Sequence, residues 1–213
     1  MKRYLEYDGL KVLAHRGGVD ESYENTLESF SYSQSLGCEF IETDVQVSSD
    51  GIPYIFHDDD LKRILNKSIR FDSLSSNEID KLNIFNTHKI PKLSEALLTF
   101  PNLCFQIDFK TDEVVMPALD VIKSMNAFDR VCIASFNSKR LQNVRSLYPD
   151  LCISMGPNEV FKTLIASLNL YKGKIPGDCL QIPMTYYGEH SVNAPNPDGL
   201  FSPGKALNPP LGP

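Results

Sequence analysis

Short β-branched runs recur along the chain, separated by helical patterns, and several of them close on charged residues. Strand-like stretches cover Val12–Ala14, Glu39–Val47, Pro53–His57, Leu103–Phe109, Arg130–Phe136, Leu151–Met155 and Cys179–Pro183. Helical patterns are expected over Asn25–Leu36, Ser76–Leu82, Pro91–Phe100, Glu113–Met125, Ser138–Leu147 and Asn158–Tyr171. Thr26 or Asn25 suits the start of the first helix and Gly37 its stop, while Pro91 suits the first turn of its own. Repeated βα units imply a parallel sheet with helices packed outside it, the α/β class.

A doubly wound sheet and a TIM (β/α)8 barrel both satisfy that order, and the pleat separates them. In the second strand Phe40, Glu42 and Asp44 share one face, with Ile41, Thr43 and Val45 on the other. In the strand near residue 106, Gln106, Asp108 and Lys110 oppose Phe105, Ile107 and Phe109. Charges on one face need a shared wet pocket, because covering them with helices is costly. The C-terminal mouth of a barrel supplies such a pocket. With 213 residues, against about 250 for a typical barrel, the expected barrel is incomplete at the C-terminus. The expected domain spans residues 1–190. Residues 191–213 hold six prolines and no period, and are expected to form an irregular tail.

The charged positions are His15-Arg16, Glu42, Asp44, His57, Asp108 and Lys110. Phosphodiesters resist attack because their oxygens are anionic, so a catalyst must neutralise that charge and move two protons. Glu42 and Asp44, at i and i+2 on a strand, point the same way and suit a hard divalent cation, Mg2+ or Ca2+, with Asp108 completing the ligands. Arg16 and Lys110 add positive charge for a phosphate. His15 and His57 suit acid–base work near neutral pH. The run Asp58-Asp59-Asp60 reads as a solvated loop in which Asp58 is able to orient a neighbour, and His88 and His190 receive no role.

The net charge of −6 and scattered basic residues argue against a nucleic-acid partner. No run reaches the length of a membrane span, and no apolar segment follows Lys2 and Arg3, so neither an anchor nor a signal peptide is expected. Cys38, Cys104, Cys132, Cys152 and Cys179 form no C-x-x-C pair. Buried thiols in a reducing, cytoplasmic compartment are the first reading, and a zinc site or disulfide set the alternative. Oligomeric state is not legible.

At these residues the chain resembles the glycerophosphodiester phosphodiesterase family. The resemblance runs through Ala14-His15-Arg16-Gly17-Gly18, Glu24-Asn25-Thr26, Ile41-Glu42-Thr43-Asp44-Val45, Phe56-His57-Asp58, Ile90-Pro91-Lys92-Leu93, Gln106-Ile107-Asp108-Phe109-Lys110 and Ser135-Phe136, in order. It implies a TIM barrel with a small insertion after the third strand, here residues 59–90. It further implies His15 and His57 as the acid–base pair, Glu42, Asp44 and Asp108 at metal-ligand positions, and Arg16 and Lys110 on the phosphate side. The implied reaction cleaves a glycerophosphodiester, a small molecule, to glycerol 3-phosphate and an alcohol through a cyclic phosphate. The chain departs from the family in Tyr23 for a usual proline, in Asp108 for a usual glutamate, and in lacking the later Trp-Thr and Asp-Gly…Thr-Asp segments. Two other readings stand beside it: a non-catalytic phosphodiester-binding or inactive barrel, and a lysophospholipase D.

Overall fold

Thr26 ends one extended stretch and opens the first helix by a reciprocal cap. Its Oγ1 accepts from the Ser29 amide at 3.1 Å while Ser29 Oγ accepts from the Thr26 amide at 3.3 Å. In the computed structural model, which describes residues 2–6, 11–18 and 22–181 and the backbone of 185–186 and 189–190, that helix is α1, Leu27–Ser35. It is preceded by β1, Leu13–His15, and stops before Gly37, which takes φ +83°. Asn25, expected as a possible helix start, instead holds φ +56° outside the helix.

The next elements are β2, Phe40–Val47, and β3, Pro53–Ile55. They pair antiparallel, Val45 opposite Ile55 and Val47 opposite Pro53. The expectation of a parallel stave at Pro53–His57 is therefore corrected. The turn through Asp50-Gly51 is too short for the crossover of about a dozen residues that a parallel neighbour needs. The chain continues through α2, Lys62–Leu65, α3, Ser76–Ile79, and α4, Leu93–Thr99. Pro91 does not open α4. Its carbonyl accepts from the Ile55 amide at 2.8 Å, so the segment before α4 extends along β3.

Regular βα alternation then resumes with β4, Cys104–Phe109, α5, Val115–Ser124, β5, Val131–Ala134, α6, Ser138–Leu147, β6, Cys152–Ile153, and α7, Pro157–Ser167. The parallel order is β1-β2-β4-β5-β6. Beyond β6 a single parallel bridge joins Ser154 to Cys179; residues 182–183 of the expected seventh strand lie outside the described residues. Among the described residues the sheet stays open, an incomplete TIM-type barrel. No described helix is long and apolar enough to cross a membrane.

The chain divides into two compact units, residues 1–181 and 182–213. In the second, β7, Thr185–Tyr186, and β8, Glu189–His190, pair antiparallel. The tail expected over 191–213 lies outside the described residues.

The pleat sorts the first unit into two layers. Ile41, Val45, Phe105, Ile107, Phe109, Val131, Ile133 and Ile153 join the main core with residues of α1, α4, α5 and α6. On the opposite face Tyr4, Phe40, Cys104, Cys132 and Cys152 form a small inner cluster. Residues 59–90 and the end of β3 build a third core from Tyr54, Phe56, Leu61, Phe71, Ile79, Ile84 and Ile90. The α4–β4 connection is tied down by buried Arg130, which donates to the carbonyls of Leu97 (2.7 Å), Phe100 (3.1 Å) and Leu103 (3.0 Å). Replacement by methionine would keep the packing and strand three carbonyls. Arg130→Met is expected to cost about 2–4 kcal/mol in urea denaturation, and Arg130→Lys to recover only part, since one ammonium serves fewer acceptors.

Candidate active site

Each charged strand delivers its groups to the same end of the parallel sheet. His15 closes β1, Glu42 and Asp44 lie on β2, Asp108 lies on β4, and Lys110 follows directly after β4. Register brings them level: His15 opposes Glu42, and Asp44 opposes Asp108. Lys110 Nζ bridges the two aspartates, 2.7 Å from Asp44 Oδ1 and 2.6 Å from Asp108 Oδ2. Asp108 Oδ1 is buried and accepts no hydrogen bond from the described residues.

The loop after β1 wraps one end of this group. Arg16, Gly17 and Gly18 all take positive φ, 50°, 80° and 97°. At Gly17 only glycine fits, because a Cβ would collide with Ser29 Oγ and the Phe30 ring. The turn points the Arg16 amide at Glu42 Oε2 (3.1 Å) and sets the Arg16 guanidinium against Asp44 (3.3 Å) and Glu24 (3.2 Å). His15 Nε2 lies 3.9 Å from Glu42 Oε2, with more than half of its side chain exposed.

His57 comes from the other side. Phe56 N donates to the Asp44 carbonyl at 3.0 Å, so the residue before His57 is seated on β2 itself. His57 Nδ1 lies 2.6 Å from Asp58 Oδ1. Asp58 is in turn gripped by Arg63 (2.7 Å), whose guanidinium also forks onto Glu24. A continuous ionic chain thus runs from His57 through Asp58, Arg63, Glu24 and Arg16 to Asp44.

The structure therefore gathers Arg16, Glu42, Asp44, Asp108 and Lys110 directly. His15 stands at their edge, and His57 joins through its neighbours. Four further residues carry the assembly without having been given a role in the site from the sequence. Glu24 holds both arginines. Asn25 donates to Asp44 Oδ2 (2.9 Å) and accepts from Thr43 Oγ1 (2.8 Å), which explains its left-handed backbone. Gln46 Nε2 donates to the Asp58 carbonyl at 3.2 Å and to Asp59 Oδ1 at 3.2 Å. Glu24 and Asn25 sit within a motif already quoted, whereas Arg63 and Gln46 leave no local signal. His88 pairs with Glu28 away from this group (3.3 Å), and the side chain of His190 lies outside the described residues.

Crowded carboxylates set the electrostatics. Burial, then the Asp44 charge, pushes Glu42 from its ordinary 4.5 up to about 8. Burial likewise raises Asp108, with Asp44 adding to it and Lys110 opposing. Burial works against the Lys110 charge, but Asp44 and Asp108 outweigh it and the ammonium is held more firmly than usual. For Glu24 and Asp58, the paired Arg63 overrides the effect of burial and keeps both acids ionised. The donors are all oxygens, the type a hard divalent cation takes, and Asp108 Oδ1 has no partner among the described residues.

Without such a cation, the folded chain holds protons on Glu42 that the unfolded chain has released above about pH 4.5. The associated stability is present below that pH and is lost as pH rises toward about 8. Glu24 and Asp58 act below the window. In chelator, the melting temperature is expected to be higher near pH 5.5 than near pH 8. Glu42→Gln should remove most of that difference, and saturating divalent cation should narrow it.

Known proteins resemble this chain in sequence and in fold. Residues 15–156 match the glycerophosphoryl diester phosphodiesterase family. The chain is 27% identical over 212 residues to the "Probable glycerophosphodiester phosphodiesterase 2" of Mycobacterium tuberculosis, covering 96% of this chain and 80% of that protein. It is 32% identical over 158 residues to the glycerophosphodiester phosphodiesterase of Caldanaerobacter subterraneus, covering 68% of this chain and 65% of that relative. A solved phosphodiesterase from Oleispira antarctica, in complex with the product sn-glycerol-3-phosphate, superposes with a TM-score of 0.65 at 26% identity, over 75% of this chain and 72% of that one. With its matched span running from His15, the last residue of β1, through β6 and holding every residue of the carboxylate group, the chain belongs to the glycerophosphoryl diester phosphodiesterase family.

Proposed function

We propose that this chain hydrolyses small glycerophosphodiesters to glycerol 3-phosphate and an alcohol. The observation that carries the reading is the buried Glu42–Asp44–Asp108 group, countered by Lys110 and Arg16, at the sheet end where His15 and His57 also emerge. Family membership supports the reaction class, and the glycerol 3-phosphate bound to the Oleispira relative supports the substrate class.

Glu42, Asp44 and Asp108 would hold the divalent cation, Mg2+ or Ca2+. When bound, the ion supplies positive charge that offsets the phosphoryl oxygens. Asp108 is one methylene shorter than the usual glutamate, and its unpartnered Oδ1 is the oxygen available for this task. Arg16 and Lys110 extend the positive field to the phosphate. Asp58 accepts the His57 Nδ1 proton and leaves Nε2 for transfer, so His57 enters the reaction with a defined tautomer. His15 and His57 share two proton transfers, one from a glycerol hydroxyl that attacks phosphorus and one to the departing alkoxide. The attacking hydroxyl belongs to the substrate, so its high effective concentration favours a cyclic phosphate that water then opens. We place the protein in the cytoplasm, on the support of its five free thiols.

Incubation with glycerophosphocholine and Mg2+ or Ca2+ is expected to release glycerol 3-phosphate, and chelator to abolish the release. His15→Ala and His57→Ala should each lower kcat by about 10²–10⁴-fold, with a cyclic glycerol phosphate visible at early times by phosphorus NMR. Binding without turnover in a sharply melting protein would overturn the catalytic reading. Full activity in the double variant would overturn the histidine roles.

A further inference from the structure

Three cysteine sulfurs meet on the inner face of the sheet, with Cys132 two strands across from Glu42 at the same register level. Cys132 lies on β5, Cys152 is its register partner on β6, and Cys179 sits on the segment bridged to Ser154 just beyond β6. Their Sγ atoms all lie within 4.8 Å of one another, and those of Cys132 and Cys179 are 3.3 Å apart. Cys132 and Cys152 are buried, and Cys179 is half-buried. Cys104 shares the face without joining the group, and Cys38 lies elsewhere.

The third sulfur is held in place independently of the other two. Asp178 N donates to the Ile153 carbonyl (2.8 Å), Ile153 N donates back to Asp178 Oδ2 (2.9 Å), and Met155 N donates to the Cys179 carbonyl (2.8 Å). Lys2 adds a contact to Asp178 Oδ2 at 3.1 Å. A backbone fixed on both sides of residue 179 directs its thiol at the two sulfurs on β5 and β6. Ordinary core packing would be satisfied by any small apolar side chain at these positions. Convergence of three sulfurs from three chain segments on one point is instead the donor set of a thiophilic ion.

We propose that Cys132, Cys152 and Cys179 form a second metal site, for a d10 thiophilic ion of the Zn2+ or Cu+ kind, separate from the carboxylate site. Metal–sulfur bonds of about 2.3 Å place tetrahedral sulfurs about 3.8 Å apart, so binding asks the closest pair to open by about half an ångström. The metal replaces the thiol protons, which leave to solvent, and no electron is transferred. The bound ion staples β5, β6 and the 178–181 segment at the open side of the sheet. The proposal does not rest on the phosphodiesterase reading.

The test uses the full chain, reduced and shown to carry five reactive thiols when unfolded. Excess Mg2+ is added to occupy oxygen sites, and Co2+ is titrated as the spectroscopic probe. One equivalent is expected to produce sulfur-to-cobalt charge-transfer absorption in the near ultraviolet. Competition with Zn2+ and with Cu+ identifies the preferred ion. Cys179→Ser should abolish the absorption and Cys38→Ser should preserve it. Absence of the band in the reduced protein, or its persistence in Cys179→Ser, would overturn the site. A second measurement needs no variant: stoichiometric Zn2+ should slow alkylation of Cys132, Cys152 and Cys179 by more than about tenfold and leave Cys38 unchanged. Equal alkylation with and without Zn2+, or a Cys132–Cys179 disulfide formed equally in its presence, would likewise overturn it.

Discussion

Three carboxylates on the inner face of two adjacent strands cannot all ionise next to each other in a poorly solvated setting. At about 4 Å, two like charges near a protein surface repel by about 4 kcal/mol. The molecule meets this repulsion with cations drawn from the chain's own connections. Lys110 leaves β4 and turns back between Asp44 and Asp108, and Arg16 leaves β1 and lies against Asp44. Glu42 receives a backbone amide and the edge of His15, and burial with the Asp44 charge pushes its carboxyl up to about 8. Much of the surrounding structure serves this balance. The left-handed Arg16-Gly17-Gly18 turn, the serines of α1 that hold it, and the left-handed Asn25 all place donors around the same few oxygens.

Legibility in the sequence followed the period-two pleat. It assigned Ile41, Val45, Phe105 and Phe109 to one side and Glu42, Asp44, Gln106 and Asp108 to the other, and the two layers of the first unit divide along those lines. It failed where direction rather than face was at stake. Pro53–Ile55 has the composition of a strand whether it runs up or down, and the tight Asp50-Gly51 turn was the cue to an antiparallel partner. Pro91 shows the same limit: a proline that suits a helix start also suits the extended segment it occupies here.

Within the site, residues with intrinsic chemistry stood out and residues that hold them did not. His57 is conspicuous as a type, but Gln46 and Arg63, which fasten its loop, look like any polar residue on a strand or short helix. Their roles depend on long-range contacts that no local pattern encodes. Asn25 was visible as a possible cap, and its use as a bridge between Thr43 and Asp44 required the fold.

The two imidazoles are mounted on different hydrophobic bodies. His15 ends a strand of the parallel sheet, whereas His57 follows Phe56, which belongs to the separate core built with Leu61, Phe71, Ile79 and Ile84. A small cluster of that kind can open as a local unit at lower free energy than the sheet. On the proposed histidine roles, mild denaturant would silence proton transfer while far-ultraviolet dichroism still reported an intact barrel wall, making lost turnover the earliest sign of unfolding.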